Sequence, residues 1–414
     1  MPRPTTNMSL LSVLLHCLSF VSLGLARPVH PSHPLHEARA VGPRGELREA
    51  LSWRSIRNKL HLTYRDTTTA FGEIGATFTL GDRESQLAPG GTYPRLVRLA
   101  DSGILAASAY TTNGQRTIRV TRSDDDGATF SEIGTVAQST GDLDNAFLIQ
   151  LPSGSILAAF RNHDKNASGA YTYFRITVCK SDDGGRTWTF LAHAAEQPAD
   201  ASGFNGLWEP FIRFGKDGAL QLTYSEELSQ TNQETFRTLS YDGGATWSTP
   251  VNLRLHGADQ QFRDGMQGIA SIKDTNGQDA LVMVFEVKDG PNFYLGTVLS
   301  YDDGNTWGSR NIIYRPNQHN AGAPQIATIG NGLAVVFMTD EDLPADQLDW
   351  ANKADIKAIF SSELNNGQLK WTTQTFHLSE DSSYWPGTFQ RGDGNIMAVY
   401  ERGGVPYGRI ITRV

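Results

Sequence analysis

Ser123-Asp124-Asp125-Asp126-Gly127-Ala128-Thr129-Phe130 returns three times, as Ser181 to Trp188, Ser240 to Trp247 and Ser300 to Trp307, each reading Ser-x-Asp-x-Gly-x-Thr-Trp/Phe. The shared Asp falls at 125, 183, 242 and 302, so the steps are 58, 59 and 60 residues. A pattern this short and this evenly spaced marks a structural repeat. Its chemistry is that of a hairpin turn. The carboxylate accepts from turn amides, the glycine takes a positive φ, and the aromatic ring covers the strand edge. A calcium loop would need oxygen ligands at alternate positions and a Glu at the twelfth, which none of the four copies has.

Outward from the boxes, short stretches rich in Val, Ile, Phe and Thr alternate with turn residues, and no long helical period appears. A unit of about 60 residues with one such turn predicts an all-β fold, a six-bladed β-propeller with Asp-box (BNR) repeats and four strands per blade. Six inner strands are expected to begin at Tyr93, Asn145, Trp208, Met266, Ala323 and Trp385. Second strands follow at 104–110, 156–161, 220–226, 281–286, 333–339 and 396–401. Blade five keeps a damaged box between Ser361 and Trp371. The sixth runs out after 408–412, so an N-terminal strand, Ile74 to Leu80, is expected to close it and leave no bare edge.

Ahead of the array, Arg3 followed by an apolar run from Leu10 to Leu25 and the small residues Gly24 and Ala26 reads as a signal peptide over 1–26, too short to span a membrane. Residues 27–58, with Pro, His and Arg and no period, read as a propeptide or disordered arm, which leaves 59–414 as the catalytic propeller. Secretion to the extracellular space is the expectation. Residues 1–58 carry seven Arg against three Glu, so the net charge of −8 for the whole chain deepens to −12 for the remainder. That charge repels nucleic acid and favours neutral or cationic partners. Cys17 falls in the leader, and Cys179 is left single as a small buried hydrophobe. Asn166-Ala167-Ser168 is a glycosylation acceptor pattern.

In such a blade the start of strand one and the end of strand two share the tunnel-mouth face, and the boxes lie on the other. Acids dominate the mouth set. Glycosidic hydrolysis needs two carboxyls flanking the bond, about 5–5.5 Å apart for retention and about 6.5–9.5 Å for inversion. Glu209, beside the indole of Trp208, suits a general acid, because desolvation raises a carboxyl pKa. Glu286 closes the apolar run Leu281 to Phe285 and suits a nucleophile. Glu226 is placed in the register of Glu286 one blade earlier, as a reserve. Arg95, Asp144, Arg161, His163, Asp264, Tyr384, Trp385 and Tyr400 complete the expected substrate-binding set. No metal or organic cofactor is expected, since no ligand pair has metal spacing.

Tyr93-Pro94-Arg95-Leu96 resembles the arginine motif of sialidases, which grip a carboxylate with three Arg; Arg161, Arg237, Arg263 and Arg402 stand as replacements for the missing two. A fuller resemblance, spanning the whole domain, is to glycoside hydrolase family 93, the fungal exo-α-L-1,5-arabinanases. It runs through Asp144 to Asp164, Trp208 to Phe211, Tyr224 to Glu227, Asn232 to Thr235, Arg263 to Gly268, Met283 to Glu286, Asn320 to Gln325, Phe337 to Asp340, Tyr384 to Gly387 and Tyr400 to Gly403. The resemblance implies retention through two Glu, with Glu209 as acid/base and Glu286 as nucleophile or the two exchanged, or Glu226 in place of one, Tyr384 near the scissile sugar, and release of arabinobiose from linear plant cell-wall arabinan by a monomer. Sialidase action and a carbohydrate-binding propeller without catalysis are the rival readings.

Overall fold

The computed structural model describes residues 67–344, 346–380 and 382–414; the expected leader and arm lie outside them. The described residues contain strands and turns and no helix. They form six four-stranded antiparallel units. Four are consecutive in sequence: Thr92–Arg98 to Ser131–Ser139, Asp142–Gln150 to Thr189–Pro198, Arg263–Lys273 to Gly308–Tyr314, and Ala321–Ile329 to Phe376–Ser379. Another, Leu207–Phe214 to Val251–Asn252, is joined to its successor by a single parallel pairing, Gln233 with Arg263. The last comprises Ser383–Gln390, Ile396–Arg402 and Val405–Arg413, and takes its fourth strand, Ala76–Gln86, from the start of the described chain. That strand begins two residues later and runs six residues further than the sequence suggested, and Thr67–Phe71 adds an outer partner to it.

The first strands pack in succession, each on the next, and the strand Ser383–Gln390 packs on Thr92–Arg98. Second strands are buried on both faces: Ile104 to Ala109, Ile156 to Phe160, Leu220 to Tyr224, Ala280 to Phe285, Leu333 to Met338 and Ile396 to Tyr400. Being covered by the neighbouring units on either side, they read as continuous apolar runs without polar alternation. Phe78, on the strand from the chain start, is fully buried and stacks on Phe360 of the preceding unit with ring centres 3.6 Å apart. Phe78→Leu keeps the apolar volume and loses the stack. It is expected to cost about 1–2 kcal/mol, read as a lower denaturation midpoint with an unchanged slope.

The boxes behave as their residues dictate. Each third strand ends on the box serine, Ser123, Ser181, Ser240 or Ser300. In every copy the serine hydroxyl donates to the box Asp and accepts from the glycine amide, as for Ser181 with Asp183 at 2.9 Å and Gly185 at 2.9 Å. The threonine hydroxyl donates to the same carboxylate at 2.6 Å in all four. Gly127, Gly185, Gly244 and Gly304 have φ between 84° and 95°. The three tryptophans donate their indole N–H to the glycine carbonyl at 2.8–3.1 Å. These turns join strands three and four, at the end of the units opposite to where the first strands begin.

Candidate functional site

Each first strand carries a bulge at its beginning, and at each bulge one residue is left-handed without being glycine: Tyr93, Asn145, Glu209, Met266, Ala323 and Trp385, with φ of 45–57°. Such a backbone costs about 1 kcal/mol or more per residue, and a bulge re-aims the side chain it carries. Five of these six positions coincide with the starts expected from sequence; in the remaining unit it is Glu209, one residue after Trp208, that takes the strained conformation. The bulge thereby turns the Glu209 carboxyl out of the strand face.

The amide that the next bulge frees from its ladder receives that carboxyl. Met266 N donates to Glu209 Oε2 at 3.2 Å. One unit on, Ala323 N donates to Glu286 Oε2 at 2.7 Å. Two carboxyls therefore dock in the same way on successive bulges, one from a first strand and one from the end of a second. Two glycines mark where they meet. A methyl on Gly265 would lie 3.5 Å from Glu286 Oε1 and 3.7 Å from Glu209 Oε2, so these oxygens are no farther apart than those two lengths laid end to end. A methyl on Gly322 would meet Glu286 Oε2 at 2.8 Å.

Both side chains are partly buried. Burial pushes the Glu286 carboxyl up to about 7, and the neighbouring Glu209 adds to the rise while the Ala323 amide partly offsets it. Burial also raises Glu209, but the Met266 amide, the positive charge of Arg161 and the Ser225 hydroxyl pull it back. Gln267 braces the strained residue, donating to the Glu209 carbonyl at 2.7 Å while its own Oε1 accepts from the Ser225 hydroxyl at 2.8 Å. A groove of about 710 Å³ at the box end has no comparable pair; its Lys216 and Lys273 are already matched with Asp279.

The sequence profile of the BNR repeat-like domain family matches residues 103–336. The chain belongs to that family. No curated protein is a significant match to it. Solved structures of similar fold include a mutant α-L-arabinofuranosidase of Fusarium graminearum in complex with an iminosugar inhibitor, with TM-score 0.61 and 20% identity over 79% of this chain and 94% of that one. The α-L-arabinanase of Penicillium chrysogenum complexed with arabinobiose gives 0.59 and 20% over 84% and 98%. The NanB sialidase of Streptococcus pneumoniae gives 0.52 and 12% over 78% and 69%. At these identities the likeness is one of fold.

Within this BNR repeat protein the other residues singled out from sequence separate into two groups. Arg161, Asp144, Tyr384 and Trp385 stand at the bulge end, and Arg161 is near enough to act on Glu209. Arg161 bonds Asp142 at 2.9 Å and lies 3.7 Å from Asp144, whose carboxylate also receives Arg116. Tyr384 donates to the Asn352 carbonyl at 2.5 Å, and Trp385 lies 5.9 Å from the Tyr93 ring, centre to centre. Arg95 lies one layer deeper, 4% exposed, its guanidinium 4.2 Å from the centre of the Tyr93 ring that covers it.

The second group is occupied with partners inside the fold. His163 is fully buried with Nε2 2.6 Å from the Leu207 carbonyl, and burial lowers its pKa to about 3. Asp264 is fully buried between Arg310, which donates twice at 2.7 and 2.8 Å, and His256 Nδ1 at 3.1 Å. Tyr400 is fully buried against Glu84. Trp208 is 6% exposed and packs on His163 and Tyr171, which removes it as an open sugar platform beside Glu209. Glu226 is corrected in register. Glu286 pairs with Gly265, and the residue one unit earlier that matches it is Ser225, opposite Trp208. A slip of one residue moves a side chain to the other face. Glu226 thus meets Tyr224 at 3.3 Å, and Glu227, held by Arg263 at 2.7 Å, takes the side of Glu209.

The same register puts Glu401 where Glu286 stands, two units on, opposite Tyr384. Sequence reading missed Tyr93, Ser225, Gln267 and Trp350. Tyr93 reaches Met266 Sδ at 3.3 Å. The signal for Trp350 was the long connection after Thr339, and for the open side of the site the two small residues Gly265 and Gly322 where other units have Thr92, Asp144, Trp208 and Tyr384.

The raised Glu286 pKa has a consequence for stability. The folded chain holds a proton that the unfolded chain releases near 4.5, so this contribution is full below pH 4.5 and lost as pH rises through about 7. Glu286→Gln keeps the neutral shape. It is expected to be more stable than wild type by about 2 kcal/mol at pH 8, and equally stable at pH 4, as read by urea melts. Equal stability at both pH values would show that the charge meets no penalty.

Proposed function

We propose that this chain is a secreted, six-bladed β-propeller glycoside hydrolase that acts with retention on the ends of α-1,5-linked L-arabinan chains and releases arabinobiose. The observation that carries the reading is the convergence of Glu209 and Glu286 on Gly265, each docked on the bulge amide of the next unit. The upper bound on their separation admits the spacing of about 5–5.5 Å used for retention and excludes most of the wider inverting range. The fold neighbours named for arabinofuranosidase and arabinanase activity support the substrate class. The six units with their successive first-strand packing support the propeller, and the leader sequence supports export.

The electrostatics favour exchanging the two roles read from sequence. With a pKa near 7, Glu286 is half protonated at neutral pH and serves as the acid. It gives its proton to the glycosidic oxygen as Glu209 Oε attacks the anomeric carbon; the C–O bond breaks, the sugar alcohol leaves, and a glycosyl ester forms on Glu209. Glu286, now a carboxylate, takes a proton from the water that attacks the same carbon. The ester breaks, and both carboxyls return to their first state. Arg161, near enough to lower the Glu209 pKa, favours the ionised nucleophile.

The sialidase reading finds little support in the arginines. Arg161 is held by Asp142, Arg263 by Glu227 and Arg402 by Glu84, while Arg237 bonds the Gly304 carbonyl at the box end. Arg95 lies beneath Tyr93. An acidic site without a free arginine cluster suits a neutral sugar. Incubation with linear arabinan, debranched arabinan and a sialoside tests the proposal. Arabinobiose as first product is the expected result; free sialic acid would overturn it, and no release from any of the three would favour a binding protein.

A further inference from the structure

The connection from Thr339 to Asp355 differs from its counterparts. Three units turn from second to third strand in two residues, 113–114, 230–231 and 403–404. Long connections in compact domains are where binding residues concentrate. Its last part is tied down. Ala351 and Ala354 are buried in the core, Tyr384 and Ser382 donate to the Asn352 carbonyl, and Ser383 N donates to the Ala354 carbonyl at 2.9 Å. Trp350 is thereby set against the site, only partly buried.

The point where a methyl on Gly322 would lie is 3.0 Å from Trp350 Cζ2 and 2.8 Å from Glu286 Oε2. The indole and the carboxyl thus share one glycine-made gap. Phe293 extends the apolar wall, its ring centre 6.0 Å from that of Trp350 and the planes 30° apart. A partly open indole beside a carboxyl is the arrangement that binds a furanose or pyranose. The ring stacks on the C–H face of the sugar and the carboxyl meets its oxygens. Trp208, the indole expected from sequence to do this, is packed away.

We propose that Trp350 is the sugar-stacking platform of this site, and that with Phe293 it walls the site on one side so that an arabinan chain enters by its end and the wall sets the length of the product. The inference rests on the arabinan reading, and binding separates the two. Linear α-1,5-arabinotetraose is titrated calorimetrically into the full chain carrying Glu286→Gln, alone and with Trp350→Ala or Trp350→Phe. The expected result is a tenfold or greater loss of affinity for the Ala variant and a loss of threefold or less for Phe, with products longer than the disaccharide when Trp350→Ala is made in the active chain. Unchanged affinity and products in Trp350→Ala would overturn the platform. Trp350-dependent binding by a wild type that hydrolyses no arabinan would keep the platform and remove the hydrolase. No binding by Glu286→Gln would overturn both.

Discussion

Glu209→Ala and Glu286→Ala are each expected to lower the rate of arabinan hydrolysis by about four orders of magnitude, because either deletion stops one of the two chemical steps. Azide then tells the two apart. In Glu209→Ala no ester can form on the protein, so azide in the gap attacks the anomeric carbon directly and gives a glycosyl azide of inverted configuration. In Glu286→Ala the ester still forms from a substrate with a good leaving group, and azide displaces Glu209 to give the retained configuration. The opposite pair of products would restore the roles read from sequence. Near-normal turnover in either alanine variant would falsify the assignment of that carboxyl to the chemistry. The pH profile offers an independent check. With Glu286 as the acid near 7, activity should fall on the alkaline side of neutrality, and Glu286→Gln should abolish that limb with the activity itself.

Asp264→Ala is expected to lower stability by about 3–5 kcal/mol. The carboxylate is fully buried and answers both terminal nitrogens of Arg310 and the ring of His256. Removing it leaves a guanidinium in a poorly hydrated site with no counter-charge. Asp264 adjoins Gly265, on which Glu209 and Glu286 converge, yet its side chain is buried against Arg310 and His256. The expected pattern is therefore a large loss in urea midpoint with turnover per folded molecule near that of wild type. A variant of normal stability that has lost affinity for sugar would return Asp264 to the substrate-binding set. The adjacent pair, one residue structural and its neighbour shaping the site, follows from strand alternation.

How far the site could be read in the sequence depends on how local each constraint is. Glu286 was legible because five apolar residues in a row announce a strand buried on both faces, so that its first charge must emerge at the end. Glu209 was legible as a carboxyl at a strand start in Trp208-Glu209-Pro210, although the feature that was expected to matter, the adjacent indole, is packed against His163 and Tyr171. Glu226 was misplaced because equivalent second-strand residues, Leu220 and Leu281, are 61 residues apart while the boxes of the same two units step by 60, a one-residue difference that leaves no composition signal. His163, Asp264 and Tyr400 are polar residues near a strand end, where sequence alone gives no sign of whether a neighbouring unit covers them. Trp350 went unnoticed because it lies in a connection with no period, brought to Glu286 only through the anchoring of Asn352 and Ala354 on the unit that follows.

By itself the sequence determined the box turns and through them the repeat, for a plain physical reason. Within eight residues Ser, Asp, Gly, Thr and Trp or Phe supply the donors, the acceptor and the positive φ the turn requires, so no distant residue has a say. The step between those turns, set against the length of the chain, gave the expected number of units and the need for a strand from the chain start. The tertiary structure alone decided which carboxyls face each other and how strongly each holds its proton. Glu209 and Glu286 belong to different units, and their meeting depends on two freed bulge amides, Met266 and Ala323, and on Gly322, where a methyl would meet Glu286 Oε2 at 2.8 Å. Desolvation and charge coupling act through space between these groups, and spacing along the chain does not encode them.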